Sequence, residues 1–157
     1  MNTAADHLLP DPPRQQEETE EMNIYALLVG IDDYQGDEIP SLSGCLADVQ
    51  NVASFLQERY GDRLKLKQLV DQDATYSNVI QAFEEHLVNG GGAAADTYWF
   101  HFSGHGSEQF TAKEFFEPQD NNGDSLPSLS PNGKDQTLVC YNALSDDTNI
   151  FLADWID

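Results

Sequence analysis

The sequence predicts an α/β fold, a three-layer αβα sandwich with a mostly parallel sheet. Three observations carry that prediction. Residues 24–31, Ile-Tyr-Ala-Leu-Leu-Val-Gly-Ile, form an apolar, β-branched run with no polar face, as a strand covered on both sides requires. Two later segments repeat apolar residues at helical spacing. Strand-like and helix-like segments alternate, and strand, helix, strand order builds right-handed crossovers onto one parallel sheet.

Taken in order, residues 24–31 are the first strand. Asp32, Asp33, Gly36, Pro40 and Gly44 then crowd residues 32–44 with turn formers, which makes that stretch a loop. Val49, Val52, Ala53, Leu56 and Tyr60 share one helical face and predict a helix over residues 46–60. Residues 64–70, Leu-Lys-Leu-Lys-Gln-Leu-Val, partly alternate and read as a second strand. Thr75 is a natural cap for a second helix through Val79, Ile80, Phe83 and Leu87, which Asn89 and three glycines bring to an end. Residues 97–102, Thr-Tyr-Trp-Phe-His-Phe, are aromatic and β-branched, hence a third strand, and lead straight into Ser103-Gly104-His105-Gly106-Ser107. Residues 108–135 are polar and rich in turn formers, which predicts a long surface loop before a fourth strand at 137–141. Residues 151–156 resemble the entry to a further element.

With 157 residues and 39% hydrophobic content the chain has material for one core, so residues 23–157 form a single domain. Residues 1–22 carry Pro10, Pro12, Pro13 and a run of glutamates with little to bury, and read as a disordered leader. The leader lacks the basic start and apolar stretch of a secretory signal, and no segment approaches the ~20 apolar residues of a membrane span. A formal charge of -21, from 28 acidic against 7 basic residues, repels phosphate backbones and anionic lipid. Nucleic-acid and membrane-surface roles are therefore disfavoured, while basic peptides and divalent cations suit the chain. Cys45 and Cys140 lack the paired spacing of a metal knuckle or a disulfide framework, which points to a reducing, cytoplasmic compartment.

His105 is the first candidate for chemistry. Ligands in open α/β sheets bind beyond the carboxyl ends of the strands, and His105 follows the third strand directly. An imidazole in a Gly-His-Gly turn can take a proton from a thiol and return it to a leaving amine, with the Gly106 N–H available to an oxyanion. A loop histidine is also compatible with a merely solvated side chain. His101, on the strand itself, reads as structural. A metal pair from His101 and His105 is excluded, because four residues apart they converge only on a helix, which the glycines forbid.

Residues 25–31 (Tyr-Ala-Leu-Leu-Val-Gly-Ile), residues 44–48 (Gly-Cys-Leu-Ala-Asp) and residues 102–107 (Phe-Ser-Gly-His-Gly-Ser), in that order and spacing, resemble the caspase and metacaspase family. The likeness is greatest to bacterial metacaspase-like proteins. It implies the caspase-haemoglobinase fold, lacking its C-terminal part, and a Cys-His dyad peptidase without a required cofactor. His105 then matches the catalytic histidine and Gly106 the oxyanion-hole position. The resemblance assigns Cys45 and Asp48 to a substrate pocket that takes Arg or Lys before the scissile bond. Asp48 read by itself serves equally to complement a helix N-terminus. Caspases carry an arginine two residues before the glycine, where this sequence has Leu42, which argues against cleavage after Asp.

In that family the nucleophilic cysteine lies in an Asp-x-Cys-x-Ser-Gly type sequence some tens of residues after the histidine, and nothing up to Asp157 matches it. The chain alone is therefore expected to be inactive, with a C-terminal portion or partner chain supplying the thiol. The competing expectation is a non-catalytic caspase-like module that binds peptides or partners. Asp120, Asn122 and Asp124 place oxygens at alternate positions, a spacing that calcium favours, and the resemblance adds Asp154 to that set, but the closing bidentate Glu of a full calcium loop is missing and the stretch reads equally as a solvated acidic loop.

Overall fold

A computed structural model describes residues 22–110, 123 and 133–143. Its centre is β1 (Ile24–Gly30), which pairs in parallel with β2 (Leu64–Val70) on one side and β3 (Thr97–Ser103) on the other, in the order β2-β1-β3. The absence of a polar face on β1 follows from that position. Ala26, Leu27, Leu28 and Val29 are all 0% exposed. Successive side chains point to opposite faces. Ala26 and Leu28 pack with Val49, Ala53 and Leu56 of α1 (Cys45–Tyr60), whereas Leu27 and Val29 pack with Val79, Ala82 and Leu87 on the other side. Two cores on two faces of one sheet make the three layers.

The second helix is composite. Thr75 caps α2 (Tyr76–Ala82) by accepting the N–H of Asn78, and a π-helical turn (Phe83–Val88) continues it. Phe83 of that turn meets Phe100 of β3 edge to face, at 5.7 Å between ring centres. The second face is thereby closed. At the far end of α1, Gly61 adopts a φ of 54 and ends the helix.

The expected loop over 108–135 and fourth strand at 137–141 need correction. β4 (Gly106–Phe110) begins immediately after His105 and pairs antiparallel with β5 (Lys134–Leu138), outside the parallel sheet. β5 starts three residues before the expected strand because its Lys-Asp-Gln-Thr-Leu sequence needs only one covered face. Apolar content therefore does not mark it. The apolar residues that suggested a strand, Val139 and Cys140, are buried just past its end. Past the end of β5, Val139 N–H donates to the His105 carbonyl and Tyr141 N–H to the Ala74 carbonyl. The leader up to residue 21 and residues 151–156 lie outside the described residues. Among those described, no helix is long and apolar enough to cross a membrane.

Candidate active site

The three parallel strands finish level, with Gly30 in register with Val70 and Ser103. Their carboxyl ends form a rim whose loops are fastened by carboxylates. Asp71, just past β2, has a φ of 43, and its Oδ1 accepts the N–H groups of Asp32 (2.9 Å) and Asp33 (3.1 Å). Asp32 in turn accepts the N–H of Gly44 (3.0 Å) and of Cys45 (2.9 Å) at the start of α1. Gly44 has no side chain with which to cap the helix, so a carboxylate from the end of β1 satisfies those donors. Desolvation works to raise the Asp32 pKa, but the N–H groups of Cys45, Gly44 and Leu46 outweigh it and hold the carboxyl below its ordinary value. Leu42 N–H donates to the Asp32 carbonyl and closes the loop on itself.

His105 stands on this rim, anchored at three atoms. Its backbone N–H donates to Tyr34 Oη at 2.7 Å, its carbonyl accepts from Val139 N–H at 3.0 Å, and its Nε2 lies 2.8 Å from the Pro40 carbonyl oxygen. A carbonyl oxygen only accepts, so Nε2 carries the proton and, in the neutral ring, Nδ1 is the free base. The ring is half-buried and lines a cleft of about 260 Å³ with Glu38, Ile39, Pro40, Gly106, Ser107 and Val139. Because the His105 carbonyl points at Val139 N–H, the planar trans peptide that joins it to Gly106 turns the N–H of Gly106 away from β5.

A second cavity of about 490 Å³ is lined by Ser41, Leu42, Ser43, Gly44, Cys45 and Asp48. The loop between β1 and α1 lines both, with Glu38, Ile39 and Pro40 on the cleft at His105 and Ser41 to Gly44 on this cavity. Asp48 is exposed, and Ser103 Oγ donates to its Oδ2 at 2.8 Å, bracing one carboxylate oxygen. Cys45 is 8% exposed. A thiol at a helix N-terminus is ordinarily acidified. Here desolvation raises its pKa, and the carboxylates of Asp32 and Asp48 add to the rise against the Ser103 hydrogen bond. Burial likewise pushes the Cys140 thiol up to about 11.

Thus the fold gathers four of the residues singled out from sequence, His105, Gly106, Cys45 and Asp48, at one end of the sheet. Asp120, Asp124 and Asp154 lie outside the described residues, as does Asn122. Among the described residues no three His, Cys, Asp or Glu side chains converge on a metal site. His101 alternates with Phe100 and Phe102 and so faces α1, where its Nε2 is buried without a hydrogen-bond partner among the described residues. Sequence reasoning missed Tyr34, Pro40, Asp32 and Ser103. Pro40 acts through a carbonyl that every residue owns, and nothing in a sequence marks one carbonyl as an acceptor. Ser103 was legible in principle, since it borders the Ser-Gly-His-Gly turn.

Comparison with known proteins bears on the family and the fold. The family model described as metacaspase, peptidase C14 domain, matches residues 25–132. Metacaspase-1 of Eremothecium gossypii is 32% identical over 123 residues, covering 74% of this chain and 23% of that protein. Metacaspase-1 of Pyricularia oryzae is 38% identical over 90 residues, covering 53% of this chain and 22% of that protein. The chain thus spans under a quarter of the length of these curated relatives. A crystal structure of protein GSU0716 from Geobacter sulfurreducens superposes with a TM-score of 0.54 at 23% identity, over 76% of this chain and 39% of that one, and shows the shared fold. With its α/β architecture and a family match over most of its length, the chain belongs to the metacaspase, peptidase C14, family.

Proposed function

We propose that this chain carries the general base and the primary specificity pocket of a cysteine endopeptidase that cuts after basic residues. The observation that carries the proposal is the His105 ring at the cleft, with Nε2–H committed to Pro40 and Nδ1 left to accept a proton. In the reaction, Nδ1 takes the proton of a cysteine thiol and the thiolate attacks the scissile carbonyl. The Gly106 N–H meets the oxyanion of the tetrahedral intermediate. The proton then passes from Nδ1 to the departing amine, leaving an acyl-enzyme that water hydrolyses with His105 again as base. Pro40 holds the ring in one tautomer throughout, as the third member of a catalytic triad does.

The pocket reading rests on Asp48, whose carboxylate borders a cavity large enough for a lysine or arginine side chain and pairs well with either. Both thiols among the described residues are buried and hold their protons, which supports a nucleophile supplied by a C-terminal portion or partner chain. The chain is to be assayed alone and with that portion, on fluorogenic peptides bearing Arg, Lys, Leu or Asp before the reporter. Turnover is expected only in the mixture, with Arg and Lys favoured by about 10-fold or more, a preference that Asp48→Asn levels. His105→Ala should lower it by ~10²- to 10⁴-fold. Preference for Leu or Asp overturns the pocket assignment, and turnover by the chain alone overturns the need for a second portion. A mixture that binds peptide without hydrolysing it identifies the chain as a binding module.

A further inference from the structure

We propose that Tyr34 is a positioning residue for His105, its hydroxyl and ring fixing the turn that aims the imidazole. This rests on the reading of His105 as the general base. His105 sits between Gly104 and Gly106, so no neighbouring side chain holds its backbone, and the direction of the ring is set by what the backbone itself bonds to. Tyr34 supplies that hold twice. Its Oη accepts the His105 N–H at 2.7 Å, and its ring lies against the imidazole at 5.2 Å between centres, tilted by 47°.

The same contact explains the first glycine of Ser-Gly-His-Gly. A Cβ on Gly104 would lie 2.8 Å from Tyr34 Oη and 2.9 Å from the Phe102 ring, so any larger residue drives the hydroxyl off its target. Tyr34 is itself rigidly seated. It is 8% exposed within the core on the α2 side of the sheet, and the N–H of the next residue, Gln35, donates to the Tyr141 carbonyl. Burial pushes its phenol up to about 12, which keeps it neutral wherever imidazole chemistry is of use. Tyr34 and Pro40 belong to the same loop between β1 and α1. One loop therefore grips His105 by its backbone and by its ring.

The test is nitrogen-15 NMR of the whole chain at a pH where the imidazole is neutral. In the unaltered protein the His105 amide should exchange with solvent as slowly as core amides, and the ring nitrogens should report one tautomer with the proton on Nε2. Tyr34→Phe keeps the ring and removes only Oη. It should speed exchange of the His105 amide and of Nε2–H by tenfold or more and mix the tautomers. Gly104→Ala, which displaces Oη without altering Tyr34, should reproduce that signature. A folded Tyr34→Phe or Gly104→Ala chain whose ring spectrum matches the original overturns the proposal and leaves Tyr34 a packing residue. Should both variants fail to fold, a freely exchanging His105 amide in the unaltered chain overturns it. None of these readouts needs hydrolysis, so the proposal can fail while the reading of His105 as base stands. That reading fails separately, if His105→Ala retains turnover in the peptide assay.

Discussion

Asp32 illustrates how single side chains assemble this site. It is neither base nor pocket wall, yet its carboxylate caps the helix that presents Cys45 and Asp48, while its backbone N–H is held by Asp71. Its folded pKa lies below the ordinary value of 3.8. A depressed carboxylate contributes stability above its unfolded pKa and loses it as pH falls through the folded one. Asp32→Asn should therefore be less stable than the parent at pH 7, with a melting temperature lower by roughly 3–6 °C. That gap should begin to narrow only as pH falls below 3.8 and should keep shrinking toward the lower folded pKa, as denaturation of both chains at pH 7 and across an acid series would measure. A gap independent of pH would mean that shape rather than charge does the capping. Residue identity also fixes how the thiols behave, since both are buried with raised pKa values and neither makes a ready nucleophile.

At the scale of elements, the site depends on how closely α1 lies on β1. A Cβ on Gly30 would come 2.6 Å from Val49 Cγ2 and 3.0 Å from the Cys45 carbonyl oxygen, and the second of these is backbone that cannot rotate away. Gly30 is thus required by the approach of the helix rather than by a turn. Gly30→Ala should cost about 1–3 kcal/mol by overpacking, read as a lower urea midpoint at unchanged slope. It should also shift the pocket, because the displaced atoms belong to the residue beside it. A variant as stable as the parent would show that α1 can slide without penalty. The β4–β5 pair works differently. Its Glu108 carboxylate accepts from Lys134 and Gln136, both at the surface, so the hairpin is held mainly by its ladder and by the Val139 bond to His105.

For the whole molecule, the parallel sheet has two edges among the described residues, β2 and β3, each paired only with β1. Among the described residues β3 pairs only with β1, and Tyr98 (46% exposed) and Trp99 (37%) stand on it in the open. An open parallel edge bearing aromatics invites a further strand. The proposed C-terminal portion should bind the chain, and at 100 times its dissociation constant raise stability by about 2.7 kcal/mol, seen as a higher melting temperature. A stable monomer with a high melting temperature that ignores that portion counts against the completed-enzyme reading. The calcium expectation belongs to the same scale, because Asp154 lies 30 residues beyond the Asp120 and Asp124 pair and can join it only if the fold brings it there. Titration calorimetry should give a binding heat in the millimolar range or below. A flat titration removes calcium from the account.

Pattern and local chemistry made the parallel core legible. The apolar run of β1, the helical spacing of Val49, Ala53 and Leu56, the Thr75 cap and the position of His105 past a buried strand were all readable as sequence. Each depends on near neighbours in the chain or on a period that burial imposes. The β4–β5 pair was not readable, since a strand with one polar face and a distant partner leaves little trace in hydropathy. Nor were the bonds that orient the His105 ring. Tyr34 and Pro40 lie 71 and 65 residues from it in sequence, and they act through a hydroxyl and a backbone carbonyl. The sequence by itself determined which residues could react. Only the tertiary structure decided which nitrogen holds the proton and which oxygen braces Asp48, because hydrogen bonds across such separations exist only once the sheet has brought its strand ends level.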